Sequence, residues 1–404
     1  VSAPAERVAG RARPWPVERA FVSDAHLAAA LAPCEAVAAE AEATEHAAAS
    51  PGEGLRALVR LFGARGLLRL TAPRSHGGLD ETLSSTSLCL ARERLGHVSP
   101  LADLAFAMQG LGSHPIVLAG SAEARDAWLP RVVRGEAVSA FALTEPEAGS
   151  DLGGLATRAV RDGDGYVIDG HKTFISNAGV ADVYTVFAVT APDAPKRRLS
   201  AFVVPANAPG LEARPQRVLG GHPIGDLHFH GVRVPAAARL GEEGGGLALA
   251  LATLHRFRPT VGAAALGFAQ RALDETVQHV RTRRQFGAPL AELAVVQSLV
   301  AEMACDVETA RLLVYRAANA ADHAAGHDDR AARAEVARTG SMAKLCATEA
   351  AQRVIDRAVQ LHGGRGVLVD GIVARLYEEV RSLRIYEGAN EVQKLLIARE
   401  ILGA

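Results

Sequence analysis

Hydrophobic and polar positions change rhythm twice along this chain. Between residues 24 and 49, Leu27, Leu31 and Val37 recur among Ala and Glu, a helical pattern built from strong helix formers. Gly52 and Gly54 punctuate it, and residues 55–68 carry a second apolar stripe. The run from Pro73 to Gly78 reads as a loop, and 82–95 and 118–133 as further helices. Near Val138 the pattern becomes that of short β-rich runs between turn residues: 166–168 before Asp169-Gly170, 183–189, 199–204 before Pro205, and 227–234 before Pro235. This spacing predicts a small β-barrel or sandwich. After Gly244-Gly245-Gly246 the helical period returns. Val295, Leu299, Met303, Ala310 and Leu313, with Val296, Val300, Val307 and Val314, are predicted on one broad face of a long helix. His327-Asp328-Asp329 marks a break, and another long helix is predicted to run to Leu361 and stop at Gly363-Gly364. The architecture is therefore α, then β, then α. It is an α+β chain divided at 1–138, 139–246 and 247–404.

Composition narrows the class. At 404 residues the chain is too long for one typical core, so two or three domains are expected. Aromatics are only 4%, which leaves packing to Ala, Leu and Val. A formal net charge of −1 offers no attraction to nucleic acid or an anionic membrane, and no apolar run approaches the length of a membrane span. Cys34, Cys89, Cys305 and Cys346 form no CxxC pair, so reduced, buried thiols in a cytoplasmic protein are expected. The N-terminus contains Ala, Arg and Pro but no continuous apolar stretch, and reads as a loose leader rather than a secretory signal.

Two segments carry candidate chemistry. Near the C-terminus, Arg384-Ile385-Tyr386-Glu387-Gly388-Ala389-Asn390-Glu391 places one carboxylate behind apolar and aromatic neighbours and before a glycine. A Glu held against apolar walls has its charged form disfavoured and suits a general base near neutral pH, while Gly388 lets a bulky partner approach the backbone. A Glu in the first turn of a helix, facing the dipole, is the simpler alternative. The second segment, Phe141-Ala142-Leu143-Thr144-Glu145-Pro146-Glu147-Ala148-Gly149-Ser150-Asp151, can present hydroxyls and N–H groups to the edge of a flat polar ring; an ordinary polar loop between domains is again the simpler reading.

With four further runs, these segments make the chain resemble the acyl-CoA dehydrogenase family over nearly its whole length. Gly170-His171-Lys172-Thr173-Phe174-Ile175-Ser176-Asn177 is similar to that family's second flavin segment. Arg258-Pro259, followed by 269–274, resembles its first C-terminal helix. Arg283-Arg284-Gln285-Phe286-Gly287 resembles its RxxFG signature, and Gln360-Leu361-His362-Gly363-Gly364 its QxxGG segment. The resemblance implies an N-terminal all-α domain, a middle β-barrel and a C-terminal four-helix bundle, with FAD as cofactor. It implies that Leu143, Thr144, Gly149 and Ser150 lie along the flavin ring, with Ser150 also near the substrate, and that Phe174, Ile175 and Ser176 cover its other side. Arg283 would meet the FAD pyrophosphate and Phe286 the adenosine half. Gln360, Gly363 and Gly364 would reach the FAD of a neighbouring subunit. Ala389 and Glu391 would lie along the cofactor, while Arg258, Tyr386 and Gly388 would line the thioester site beside the catalytic base, Glu387.

The departures are local. Phe174 stands where many members carry Trp, Ala389 where Thr is common, and Ala294 where some have Gln. Phe257 occupies the position of an alternative catalytic Glu in some branches, which leaves Glu387 as the base. The resemblance implies α,β-dehydrogenation of an acyl-CoA to the trans-2-enoyl-CoA, electrons passed to an electron-transfer flavoprotein, a homotetramer and a place in fatty acid β-oxidation. Competing readings are a same-fold flavoenzyme acting on a carrier-protein thioester or using oxygen, and a non-catalytic flavoprotein. His222, Asp226, His228 and His230 were weighed as metal ligands. His228 and His230 share a strand face, but no Cys lies near and histidines on a sheet edge are usually solvated, so no metal is expected. No GxGxxG unit, P-loop or GxSxG elbow occurs.

Overall fold

The computed structural model describes residues 24–194, 197–324 and 329–403. The leader expected before residue 24, and His327 and Asp328 of the expected helix break, lie outside them. The described chain runs α1 (Asp24–Ala47), α2 (Pro51–Ala64), α3 (Ser85–Val98), α4 (Pro100–Ala119), α5 (Ala122–Val133), then β1 (Ser139–Ala142), β2 (Arg158–Asp162), β3 (Gly165–Ser176), β4 (Val183–Val189), β5 (Leu199–Pro205), β6 (Leu211–Gln216), β7 (Ile224–Pro235) and β8 (Arg239–Leu240). It returns to helix with α6 (Gly246–Thr282), a short hairpin of β9 (Arg284–Gln285) and β10 (Ala288–Pro289), α7 (Ala294–His323), α8 (Arg330–His362), α9 (Ile372–Leu383) and α10 (Asn390–Leu402). Helical ends flanking a central sheet are the expected α+β order. Helix α4 escapes the pattern reading because Gly110, Gly112 and Pro115 interrupt its period, yet it runs unbroken through Pro115. None of the described helices is long and apolar enough to cross a membrane.

The chain forms two compact units. One comprises the described parts of Val1–Glu42, Ser84–Asp103 and Phe257–Ala404; the other, Ala43–Leu83 and Leu104–Arg256. The second unit holds an eight-stranded sheet in the order β6-β7-β3-β2-β4-β5-β8, with β1 pairing parallel to β4. Every residue of β4 is buried, as its continuous apolar run requires. Val183, Phe187 and Val189 of β4 join Leu199, Ala201 and Val203 of β5 in a core that also takes Ile116 of α4, Leu129 of α5, Leu143 and Leu249.

The helical unit is organised by buried charge. Adjacent residues of α3, Arg92 and Glu93, are 3% and 0% exposed. Arg92 makes a bidentate pair with Asp103 at 2.8 and 2.7 Å and donates a third bond to Thr260 Oγ1 at 2.9 Å. Glu93 accepts from Arg311 Nε of α7 at 2.9 Å and from the Tyr315 hydroxyl at 2.5 Å, while Arg311 Nη2 donates to Gln270 Oε1 of α6 at 2.8 Å. A close backbone approach makes this possible: a Cβ on Gly267 of α6 would fall 2.3 Å from the Glu93 carbonyl oxygen. At the start of α3, Asp322 of α7 accepts from Ser84 Oγ and from the backbone N–H groups of Ser85 and Thr86, at 2.9, 2.6 and 3.0 Å.

Two sequence expectations need correction. The buried stripe of α7 is Val296, Met303, Val307, Ala310 and Val314, whereas Val295 is 67% exposed, because a helix packed on one side buries about a third of its circumference. Of the four cysteines, Cys34 and Cys89 are buried, but Cys305 and Cys346 are exposed, being off the buried stripes of α7 and α8.

Removing the cation from a buried pair strands its partner, so Arg311→Met is expected to lose about 3–5 kcal/mol of stability in denaturant unfolding. The double variant Glu93→Gln with Arg311→Met is expected to lose less than Arg311→Met alone; a loss equal to the sum of the two single variants' losses would show that the two side chains are not coupled.

Candidate active site

In the helical unit, the chain leaves α9 and turns through residues 384–389 before α10 begins. Ile385 and Tyr386 donate back to the Ser382 carbonyl, and Asn390 N–H donates to the Arg384 carbonyl at 3.1 Å. The tight reversal forces φ to +51° at Glu387 and +90° at Gly388. A non-glycine residue held there costs on the order of 1–3 kcal/mol and persists only where surroundings enforce it. Here they are visible. Lys344 of α8 donates to the Gly388 carbonyl at 3.0 Å and to Asn390 Oδ1 at 2.8 Å. Gln393 Nε2 donates to the same carbonyl at 2.8 Å, and a Cβ at position 388 would lie 2.4 Å from that nitrogen. Asn390 also donates to Glu349 Oε1 at 2.8 Å, which accepts from Arg384 Nε at 2.9 Å.

The carboxylate so placed has a buried oxygen, Oε2, with no hydrogen-bond partner. Desolvation pushes its pKa up, while Arg92, Arg258 and Lys344 pull it back and Asp103 adds to the rise; the net direction is up. Arg258 of α6 is 5% exposed, and its Nε and Nη1 are likewise buried without a partner. Desolvation lowers its pKa against the attraction of Glu387. Burial lowers Lys344 to about 8, again opposed by Glu387. Orphaned polar atoms on both an acid and a cation mark a place where a polar ligand would find partners. Tyr386, beside them, is 36% exposed.

The sheet unit carries its own polar constellation. The segment after β1 closes a small turn in which Glu145 and Ala148 exchange backbone hydrogen bonds at 3.0 and 3.1 Å. It is pinned to β3 by Lys172, which donates to the Leu143 carbonyl at 2.9 Å and to Glu145 Oε1 at 2.6 Å, and by Thr173 N–H donating to the Thr144 carbonyl at 3.0 Å. Burial opposes the Glu145 charge, but Lys172 and the N–H groups of Ala156 and Thr157 outweigh it and hold the carboxyl low. The side chains of Leu143 and Ile175 enter the core, leaving only their backbones for a ligand, whereas Gly149 and Ser150 are exposed and Thr144 and Ser176 half-buried. The β3–β7 register slips between Lys172 and Ile175. At this bulge Phe174 takes φ +53° and turns outward, 59% exposed.

The remaining candidates gather in the helical unit where α6 and α8 end. Arg283 follows α6 and is exposed. The hairpin after it turns at Phe286 and Gly287, both with positive φ, so Phe286 stands 92% exposed at the tip. His279 of α6 stacks on His362 of α8 with ring centroids 4.4 Å apart, and Gln360, Gly363 and Gly364 at that end of α8 are exposed. A Cβ at Gly149, Gly363 or Gly364 would meet nothing within 4 Å, so each faces open space. Ala389 is half-buried at the start of α10, where it gives no side-chain cap, and Glu391 is exposed. Among the described residues, four non-glycines have positive φ: Phe174, Asn177, Phe286 and Glu387. Three of them are candidate site residues, so backbone strain and candidate chemistry coincide.

Comparison with known proteins places these features in a family context. Residues 25–136, 140–232 and 244–402 match models described as the acyl-CoA dehydrogenase N-terminal, middle and C-terminal domains. Cyclohexane-1-carbonyl-CoA dehydrogenase of Geobacter metallireducens is 39% identical over 340 residues, covering 83% of this chain and 87% of its own. The structure of butyryl-CoA dehydrogenase from Megasphaera elsdenii superposes with a TM-score of 0.83 at 30% identity, covering 96% of this chain and 99% of that one. An acyl-CoA dehydrogenase complexed with FAD from Bacillus anthracis superposes with a TM-score of 0.86 at 30% identity, covering 95% of this chain and 67% of that one.

Arg92, Asp103, Lys344 and Gln393 escaped the sequence reading. Lys344 alone leaves a trace: it falls on the buried stripe Gly340, Lys344, Ala347, Ala351 of α8, where a lysine demands a partner. Lys344→Met would strip the Gly388 carbonyl and Asn390 of their cation. We expect faster amide hydrogen exchange across residues 386–390 and a stability loss of about 1.5–3 kcal/mol; unchanged exchange there would remove Lys344 as the anchor.

Proposed function

The chain belongs to the acyl-CoA dehydrogenase family, FAD-dependent oxidoreductases acting on the CH–CH bond of an acyl-CoA, and on that premise we propose that it forms the trans-2-enoyl-CoA with Glu387 as the catalytic base. The observation that carries this reading is the Glu387 carboxylate itself: strained, desolvated, raised in pKa and short of one hydrogen bond. Such a group takes a proton from the carbon alpha to the thioester more readily than an ordinary surface Glu. The Glu387 backbone N–H is suited to polarise the thioester carbonyl, an oxyanion-hole arrangement applied to an enolate. Arg258, with two orphaned nitrogens beside that carboxylate, offers a positive field for the developing negative charge; Tyr386 and Gly388 would line the same place.

Bound FAD supplies the acceptor for the hydride leaving the beta carbon. Its ring would rest on Thr144, Gly149, Ser150, Phe174 and Ser176, with backbone contacts from Leu143 and Ile175. Phe174 keeps an aromatic face toward it. Arg283 would hold the pyrophosphate and Phe286 the adenosine half, with Gln360, Gly363 and Gly364 contributing to the FAD of a neighbouring subunit and Ala389 and Glu391 along the cofactor. We take an electron-transfer flavoprotein as the electron acceptor and a homotetramer as the assembly. Retention of Glu387 favours dehydrogenation over same-fold relatives that abandon it and over a non-catalytic flavoprotein, neither of which needs an alpha-proton base. The kinship to an alicyclic acyl-CoA dehydrogenase makes ring-bearing acyl-CoAs worth testing beside straight chains.

Glu387→Gln is expected to retain flavin but to lose acyl-CoA-dependent bleaching by about 10²–10⁴-fold under anaerobic mixing. In the wild type, the Glu must be deprotonated to act and its pKa is raised. The acid limb of kcat/KM should therefore lie above the ~4.3 of an unperturbed Glu. Wild-type bleaching by the variant, or a limb at or below that value, would overturn the base assignment. Arg283→Ala is expected to weaken FAD retention roughly 10- to 100-fold, read as flavin content after dilution and gel filtration. Full retention would exclude the pyrophosphate role.

A further inference from the structure

The polar face of the sheet carries a cluster that the dehydrogenase chemistry does not use. On β7, Leu227 and Phe229 point into the core, while Asp226, His228 and His230 point outward. The expectation of edge histidines fails, because β7 lies between β6 and β3. His228 is paired directly with His171 of β3 on one side and with Glu212 of β6 on the other. His171 therefore joins the outward face opposite His228, with the two rings stacked at a centroid separation of 4.2 Å. One donor atom from each of His171, Asp226 and His228 lies within 4.8 Å of the others.

We propose that His171, Asp226 and His228 form a zinc-binding site bridging β3 and β7, with water completing the tetrahedron. Two imidazoles and one carboxylate are the ligand set that suits a borderline divalent metal such as Zn²⁺. Zinc–donor distances of about 2.0–2.2 Å put tetrahedral donors about 3.3–3.6 Å apart. His171 Nε2 and Asp226 Oδ1 are already 3.2 Å apart, so only the His228 ring must swing inward. His171 Nε2 is buried and makes no hydrogen bond of proper geometry, so it is a polar atom without a settled partner at the cluster. Gln216 Nε2, itself 3.1 Å from Thr173 Oγ1, donates to Asp226 Oδ1 at 3.0 Å and orients the carboxylate, the usual duty of a group behind a metal ligand. Arg214 is the opposing cation on this face, and Glu212 holds it in a bidentate pair at 2.9 Å. The site is half-buried rather than enclosed, with side chains 37% exposed at His171 and 20% at Asp226, which leaves a path for the ion and room for water.

The test is calorimetric titration of the FAD-loaded, untagged, chelator-treated protein with ZnCl₂. One equivalent should bind saturably, and His171→Ala, Asp226→Asn and His228→Ala should each weaken it at least tenfold. His222→Ala, outside the cluster, should leave it unchanged. No saturable zinc binding by the wild type, or binding that His171→Ala and His228→Ala leave intact, overturns the site. Cobalt substitution in the unmutated protein gives an independent reading: an intense tetrahedral visible spectrum is expected, and its absence at saturating Co²⁺ also overturns the proposal.

Discussion

A buried ion must find its counter-ion within the fold, and in the helical unit this constraint fixes what surrounds the candidate base. Arg92 and Glu93 are neighbours on α3, so they leave the helix in different directions and need different partners. Arg92 takes Asp103 and Thr260, and Glu93 takes Arg311 and Tyr315. Between them these bonds tie α3 to α6, α7 and the first turn of α4. The Arg92 cation is stabilised chiefly by Asp103, against the cost of burial, and its field also reaches Glu387. The electrostatics of the base are therefore inherited from the packing of the helices. Replacing such pairs with apolar side chains would often be neutral for stability alone, but the Arg92–Asp103 pair also acts on Glu387.

Strain is distributed in the same economical way. Phe174 sits at a bulge, Phe286 at a hairpin tip and Glu387 in a helix-to-helix reversal, three unrelated local structures with one backbone anomaly in common. Each presents a side chain where regular geometry would have turned it elsewhere. At Phe174 the slip in register reverses the alternation of β3, sending the ring outward while Ile175 returns to the core. At Glu387 the strain is held by Lys344, Gln393 and Asn390, all bonded to the turn that contains it. Strain that recurs at candidate site residues would be a form of preorganisation, stored during folding.

Much of the architecture was legible because it rests on local patterns. A run of β-branched and aromatic residues specifies β4, which matches 183–189 residue for residue, and Gly363 ends α8 as its position after the apolar stripe implies. Helix α4 was not legible, since glycines and a proline that usually punctuate are tolerated where flanking packing is dense. Strands β3 and β7 run well beyond their apolar cores because pairing with neighbours stabilises polar residues that no periodicity marks. The exposed cysteines and Val295 show the same limit from the other side, for composition does not say which face of a helix meets a neighbour.

The sequence by itself determined the order of elements and the family, because motifs of fixed spacing carry these, and it singled out Glu387 as the candidate base. It could not determine the company Glu387 keeps. Arg92, Asp103, Arg258 and Lys344 come from four different helices, and nothing in their spacing announces that they share one field. Nor could it place His171 against His228, since cross-strand partners are set by register and register is a property of the whole sheet. The residues that do the chemistry are written locally; their protonation, strain and partners depend on distances between segments remote in sequence, which exist only once the chain has folded.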